Sequence, residues 1–209
     1  MRKLDIVSPG RFFLILSLLF TLALNPKPAQ AQFSSPSLWL EKGVWLNAGA
    51  GYAFPASFPM WTYHAAGAMV NASVEFPGAY FNYGVDLGMH NFPETGAYQD
   101  NLAVYPVNFF ATFNLARFYT NNARRNINKK QVVLRTGLGA GGYIHSGMNA
   151  TKMIPGLYLP LKIAYQHTIY RVTAEFRFHE VFGSVDAVDE DGNYEYGTAS
   201  VTFAIFFPY

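Results

Sequence analysis

Apolar and polar residues alternate with a period of two along most of this chain. Tyr170, Val172, Ala174, Phe176 and Phe178 fall on one side of an extended backbone, and Arg171, Thr173, Glu175, Arg177 and His179 on the other. A helix would mix the two sets, so the segment reads as a strand. Seven other stretches read the same way: Val44 to Ala53, Ala65 to Phe76, Tyr80 to His90, Val104 to Leu115, Val132 to Ile144, Leu157 to Gln166 and Gly197 to Phe207. Short connections at Pro77-Gly78 and Gln166-His167-Thr168 alternate with long ones at Phe54–His64, Asn91–Asn101, His145–Gly156 and Val181–Tyr196. The stretch from Ala116 to Lys130 is long yet falls on the side of the short turns. The pattern predicts an all-β fold, an eight-stranded antiparallel up-and-down transmembrane β-barrel, with both termini at one end. Pro106 and Pro160 lack the N–H that a ladder needs. They are expected near the outer strand ends, at bulges or outside regular pairing.

Alternation leaves open which face is inside, and the glycines decide it. Gly49 and Gly51 share a face with Asn47, Gly84 and Gly88 with Asp86, and Gly137, Gly139 and Gly141 with Arg135. A solvated surface gains nothing from glycine, which weakens strands. The narrow lumen of an eight-stranded barrel suits small residues interleaved with a few charges. Phe81, Tyr83, Phe109, Phe113, Phe176 and Phe203 would overfill that lumen and are expected to face lipid.

The first residues follow another logic. Arg2, Lys3 and Arg11 precede an uncharged run from Phe12 to Leu24, and Ala29-Gln30-Ala31 supplies small residues for cleavage. This is the order of a secretory signal peptide, and the run is shorter than the roughly 20 apolar residues of a spanning helix. The expected organisation is a cleavable signal peptide over 1–31, a short periplasmic segment over 32–43 and the barrel over 44–209. Cleavage removes Arg2, Lys3, Arg11 and Lys27, taking Lys+Arg from 15 to 11, and removes Asp5, taking Asp+Glu from 13 to 12. The formal charge falls from +2 to −1, so no global electrostatic case for nucleic acid remains.

Charged residues make up 13% of the chain, well below the roughly 25% of soluble domains. Aromatics make up 17%, and there is no cysteine, which excludes thiol chemistry and thiolate metal sites. An exported, aromatic-rich chain with no spanning helix after residue 31 points to a barrel in a membrane.

The last strand carries the most specific motif. Val201, Phe203, Ile205, Phe207 and Tyr209 form one apolar face that ends on a terminal aromatic. This resembles the C-terminal signal of outer-membrane barrels, which the barrel-assembly machinery reads during insertion; Pro208 departs from its commonest form. From Val44 to Tyr209 the chain resembles the small outer-membrane proteins with OmpA/OmpX-type eight-stranded barrel domains. That resemblance implies a Gram-negative cell-envelope protein, bounded by outer-membrane lipid, with both termini periplasmic. Larger members add a peptidoglycan-binding domain. This chain stops at the last strand, so the expectation is a barrel without one.

Seven charged residues fall on the expected inner face: Glu75, Asp86, Arg135, Lys162, Arg171, Glu175 and Arg177. Ionisable groups at membrane depth are costly unless paired. They are therefore expected to plug the lumen with salt bridges, with Glu175 as the acidic centre and Lys162 as its diagonal neighbour across the short turn. Porin-type channels need roughly 16 strands, so a wide pore is not expected. His90, His145 and His179 lie near outer strand ends and are expected to be rim residues without a special role. Some small outer-membrane barrels modify lipid A through a Ser-His-acid arrangement, and here only His145-Ser146 and His179-Glu180, with Ser184, offer the parts. Adjacent strand residues point to opposite faces, which opposes such pairing. No catalytic, cofactor-binding or metal residue is assigned. Arg124, Arg125, Lys129 and Lys130 make the odd connection basic, and Asp186, Asp189, Glu190 and Asp191 make the last outer loop acidic. The acidic spacing matches no EF-hand. The expected function is a structural or surface-binding scaffold. The alternatives are a lipid A-modifying enzyme in the same fold and a soluble exported ligand-binding barrel.

Overall fold

The computed structural model describes residues 43–78, 81–95, 101–119, 131–147, 150–167, 169–183 and 194–208. The chain divides into two units, Met1–Ser34 and Ser35–Tyr209, and the described residues all lie in the second. The expected signal peptide, the basic cluster at Arg124–Lys130, the acidic loop at Asp186–Asp191 and Tyr209 lie outside the described residues.

Eight strands form a closed barrel in sequence order: β1 (Gly43–Pro55), β2 (Gly67–Phe76), β3 (Phe81–Phe92), β4 (Leu102–Tyr119), β5 (Gln131–Gly147), β6 (Ala150–Gln166), β7 (Tyr170–Val181) and β8 (Tyr194–Pro208). Every neighbouring pair is antiparallel. β1 closes the ring against β8 from Gly43↔Pro208 to Pro55↔Tyr196. Gly43 and Pro208 therefore mark one end of the barrel, called here the terminal end; the opposite end is the distal end. Among the described residues, no helix is long and apolar enough to cross a membrane.

The outward face is apolar. Tyr52, Val70, Phe81, Tyr83, Leu87, Phe109, Ile163, Phe176, Val201 and Phe203 are all exposed. The inward positions of the same strands carry polar side chains such as Asn71, Asp86, Lys162 and Glu175, together with buried rings such as Trp45, Phe110 and Tyr158.

Several expectations need correction. β1 begins at Gly43, inside the segment assigned to the barrel's approach. The stretch His145–Gly156 is not a long loop: β5 and β6 stay paired out to Gly147↔Ala150. Their alternation was obscured by Gly142, Pro155 and Gly156. The β1–β2 connection carries a short helix, α1 (Phe58–Tyr63), with proline in its first turn. Its N-cap Ser57 gives no side-chain cap, because the hydroxyl accepts from the Glu195 N–H at 3.2 Å.

Both prolines sit at interrupted pairing, as expected; Pro106 lies near the distal end of β4, whereas Pro160 lies further inside its strand than expected. Pro160 lies inside β6 and pairs with Arg177 in an unbroken ladder with β7. On its other side the ladder passes from Thr136↔Leu161 to Gly139↔Tyr158, skipping Pro160. Pro106 likewise pairs with Tyr143 on β5, while the β3 ladder jumps from Leu87↔Val107 to His90↔Val104. Each proline turns its missing donor toward one interrupted ladder and leaves the other intact. The register sets Gly88 beside Pro106, and a Cβ there would come within 3.0 Å of the ring.

Candidate functional site

The inward-facing residues separate into two layers. The layer nearer the terminal end is ionic. Alternation on β2, β3, β5, β6 and β7 brings Glu75, Asp86, Arg135, Lys162, Arg171, Glu175 and Arg177 into the lumen, and all seven are buried. Glu75 binds Arg171 through both oxygens, at 2.7 and 2.8 Å, and Arg135 at 3.0 Å. Glu175 binds Arg177 at 2.7 and 3.2 Å and Lys162 at 3.2 Å. Asp86 holds the remaining Arg177 nitrogen and accepts from the Tyr158 hydroxyl at 3.1 Å. There are thus two acidic centres rather than the single one expected at Glu175.

The position of Lys162 also differs. It lies directly opposite Glu175, because the β6–β7 connection closes at Gln166↔Arg171 and not at a tighter turn. His167 donates its N–H to the Tyr170 carbonyl at 2.8 Å and its ring stacks on the Tyr170 ring, which holds this wider connection.

Three of the four cations lie over an aromatic face as well as beside a carboxylate. Arg171 lies over Trp45 at 4.8 Å, Lys162 over Phe110 at 4.9 Å and Arg177 over Tyr158 at 4.9 Å. Ring quadrupoles attract such cations most where water is excluded. Arg135 instead spreads its donors over Glu75, Asn114 and Gln166.

The layer nearer the distal end is aromatic. His90, His145 and His179 are in the lumen and not on the rim: His90 and His179 are 0% exposed and His145 2%. His179 Nδ1 meets the Tyr143 hydroxyl at 3.0 Å, and His90 Nδ1 meets the Tyr196 hydroxyl at 3.0 Å. His145 Nε2 meets the Tyr194 hydroxyl. The His179 and Tyr196 rings stack at 4.4 Å, and the His90 and His179 rings meet edge to face at 5.4 Å. Above them Met60 of α1 joins Ala53, Met69, Phe92, Leu102 and Val104 in one apolar cluster. α1 is tied down on both sides: Ala56 and Ser57 donate to Glu195, and Ala65 donates to Pro93. His145 points inward while Ser146 is exposed outside, so the two do not form a pair; Ser184 lies outside the described residues.

Sequence reasoning missed these lumenal rings because it reserved the lumen for small residues. Trp45, Tyr143, Tyr158 and Tyr196 share a parity with Asn47, Arg135, Lys162 and Thr198, which was the available signal. Glycines make the room. A Cβ at Gly139 would strike the Tyr158 ring, its cross-strand partner, and one at Gly156 would lie 2.6 Å from Tyr143 Cε2.

On the outside of β8, Val201, Phe203, Ile205 and Phe207 are exposed in register, between 46% and 60%. Among the described residues there is no group of three or more side chains placed to hold a metal ion.

Comparison with known proteins gives the class of fold. No family model and no curated protein matches the sequence. Among solved structures, Neisserial surface protein A matches with a TM-score of 0.51 and 15% identity, over 78% of this chain and 97% of that one. Ail, the attachment invasion locus protein of Yersinia pestis, matches with a TM-score of 0.38 and 10% identity, over 79% and 97%. The N-terminal β-barrel domain of Pseudomonas aeruginosa OprF matches at 0.41 and 10%, over 79% and 98%. At 15% identity the likeness to the Neisserial protein is one of fold: this chain is an eight-stranded antiparallel barrel of the same architecture.

Proposed function

We propose that this protein is an integral β-barrel of a bacterial outer membrane, closed to bulk flow by its own side chains, and that it acts as a structural or surface-binding scaffold through its distal loops. One observation carries the reading: the distribution of polarity is inverted. Phe109 is 70% exposed and Val201 60%, while Asp86 and Arg177 are buried at 0% and 2%. A soluble barrel with that surface would expose an apolar girdle far beyond what monomers tolerate, whereas lipid covers it. The fold shared with Neisserial surface protein A supports the same reading.

The closed lumen is supported by the two packed layers. Within the ionic layer lies a cavity of about 10 Å³, room for roughly one water. Export by the 1–31 signal peptide, with mature Gln32 first, and periplasmic termini complete the proposal. The exposed face of β8 serves as the insertion signal, since an edge strand offers main-chain pairing and alternate side chains give specificity.

Fractionation tests the location. The mature protein should stay in the outer-membrane fraction through urea washing and migrate faster on gels when unheated. Recovery in the soluble periplasm would end the membrane reading. Planar-bilayer recording tests closure: steady porin-sized conductance from the pure protein would end the closed-lumen reading. Whole-cell pull-down with the intact barrel tests the scaffold role, and a partner held after trimming of the distal loops would contradict it.

A further inference from the structure

Two imidazoles lie against each other inside the aromatic layer. His90 and His179 are completely buried, and their rings meet edge to face at 5.4 Å. His179 has a hydroxyl at each nitrogen, Tyr143 at Nδ1 and Thr198 at Nε2, the latter at 3.4 Å. His90 meets the Tyr196 hydroxyl through Nδ1, while its Nε2 is buried with no hydrogen-bond partner. In the neutral Nδ1–H form, His90 donates to Tyr196 and leaves only a lone pair at Nε2. A second proton turns that lone pair into a charged N–H with no acceptor, which is costly away from water.

The groups around the pair offer a new charge little relief. Tyr194 and Tyr196 of β8, Tyr143 of β5 and Tyr158 of β6 present neutral hydroxyls in the pH range where imidazoles charge. His145 of β5 is a third imidazole in the same layer. Arg177, two residues before His179 on the same face of β7, is a fixed cation. Asp86, on the face of β3 that carries His90, already holds Arg177 and Tyr158, and Glu175 holds Arg177 and Lys162. From β2, β4 and α1 the layer receives Met69, Val104 and Met60, which carry no charge.

We propose that the aromatic layer is an acid-sensitive seal, which closes the distal half of the lumen while His90 and His179 are neutral and opens to water when both take up protons. The inference rests on the closed-lumen reading and adds a condition to it. Two imidazolium rings at this separation, beside Arg177, repel each other in a space of low dielectric. Swinging either ring toward the mouth hydrates it and relieves the repulsion. The ionic layer need not move, so opening makes a distal vestibule and not a pore.

The chain has no cysteine, so one introduced thiol reports access to the lumen cleanly. Ser200 faces inward between the two layers, opposite Glu175, and its hydroxyl has no partner to lose. In lipid vesicles, Ser200→Cys is reacted with dithiodipyridine, which stays reactive toward thiols in acid. Rates are divided by those of Ala66→Cys at the exposed mouth. Between pH 7 and about pH 4.5 the normalised rate should rise by about tenfold or more, as a seal passes from mostly shut to mostly open. Adding His90→Phe and His179→Phe keeps both rings and removes both protonation sites, and should hold the rate low at either pH. A rate that does not rise in acid overturns the seal and leaves the closed lumen standing; a rate already fast at pH 7 overturns both. An acid rise that survives the two phenylalanines also overturns the seal, because His64, His145 or the carboxylates then govern opening. Should that variant not fold, nitrogen NMR of the imidazoles in the Ser200→Cys barrel takes its place. His90 and His179 must then charge where labelling rises, and labelling that rises while either stays neutral overturns the proposal.

Discussion

Toward the terminal end the lumen is filled by ions, and toward the distal end by rings. Both layers occupy the same narrow bore and are ringed by the same apolar wall, yet they fail differently. In the ionic layer every group is held by a charged partner, so deleting one strands another. In the aromatic layer the rings pack on one another, and each hydroxyl–imidazole bond adds a modest directional term to contact that remains without it. Filling a bore with charges fixes the positions of strands far apart in sequence: Glu75 of β2 grips β5 and β7 at once. Filling it with rings tolerates graded change.

The largest expected effect breaks the ionic side of that comparison. Glu75→Gln leaves Arg135 and Arg171 facing each other, and should destabilise the barrel by about 3–5 kcal/mol. Glu175→Gln should cost less, because Arg177 keeps Asp86. Urea titrations of refolding in vesicles measure both, and equal costs would mean that the two acidic centres act as one network.

Next comes the wall that both layers share. Phe176 sits at the middle of β7, outward and 45% exposed. On the proposed membrane reading, Phe176→Arg costs roughly 2–4 kcal/mol near the midplane. Thr173, three residues away, faces the lumen and escapes the lipid penalty on substitution. Similar losses at both positions in the same titration would contradict the assignment of inside and outside.

Most of the wall and the ionic layer were legible in the sequence, because a period of two survives every change of side chain that keeps its polarity. All seven interior charges follow from parity alone. Size was the misleading cue. The rule that a narrow bore takes small residues holds strand by strand but fails across strands, where Gly139 vacates room for Tyr158 and Gly156 for Tyr143. Such complementarity depends on register, and register depends on connections. The Lys162–Glu175 pairing was misplaced for that reason: the turn closes at Gln166↔Arg171, held by His167 and Tyr170, which no spacing rule announces. The histidines were misplaced because β3, β5 and β7 run further toward the distal end than their alternation suggested, which turns rim positions into lumenal ones.

The aromatic side of the comparison yields a smaller number. Tyr196→Phe removes the hydroxyl that meets His90 and keeps the ring that stacks on His179. The expected loss is about 1 kcal/mol, the ordinary net worth of one hydrogen bond. A loss as large as that of Glu75→Gln would mean that the aromatic layer is as intolerant as the ionic one, and the contrast between them would fall.

The smallest effect is a dependence on pH at the distal cap, outside the spanning strands. His64 ends α1, donating its N–H to the Met60 carbonyl at 2.9 Å, and bridges to Glu94 across the mouth. Burial lowers the imidazole below its usual 6.5, against a hydrogen bond to the Phe92 backbone that raises it. With the folded value depressed, the unfolded segment takes up the proton first. The cap is therefore at full stability above about pH 6.5 and loses stability as the pH falls from there toward the folded value. His64 is half-buried, so the change is local and slight. Hydrogen exchange at the His64 amide should quicken between pH 7 and pH 5 beyond the intrinsic pH dependence, while amides in β7 do not. In His64→Gln the cap should lose that pH response. Exchange at the cap that follows only the intrinsic pH dependence would remove His64 as the group that loosens the mouth.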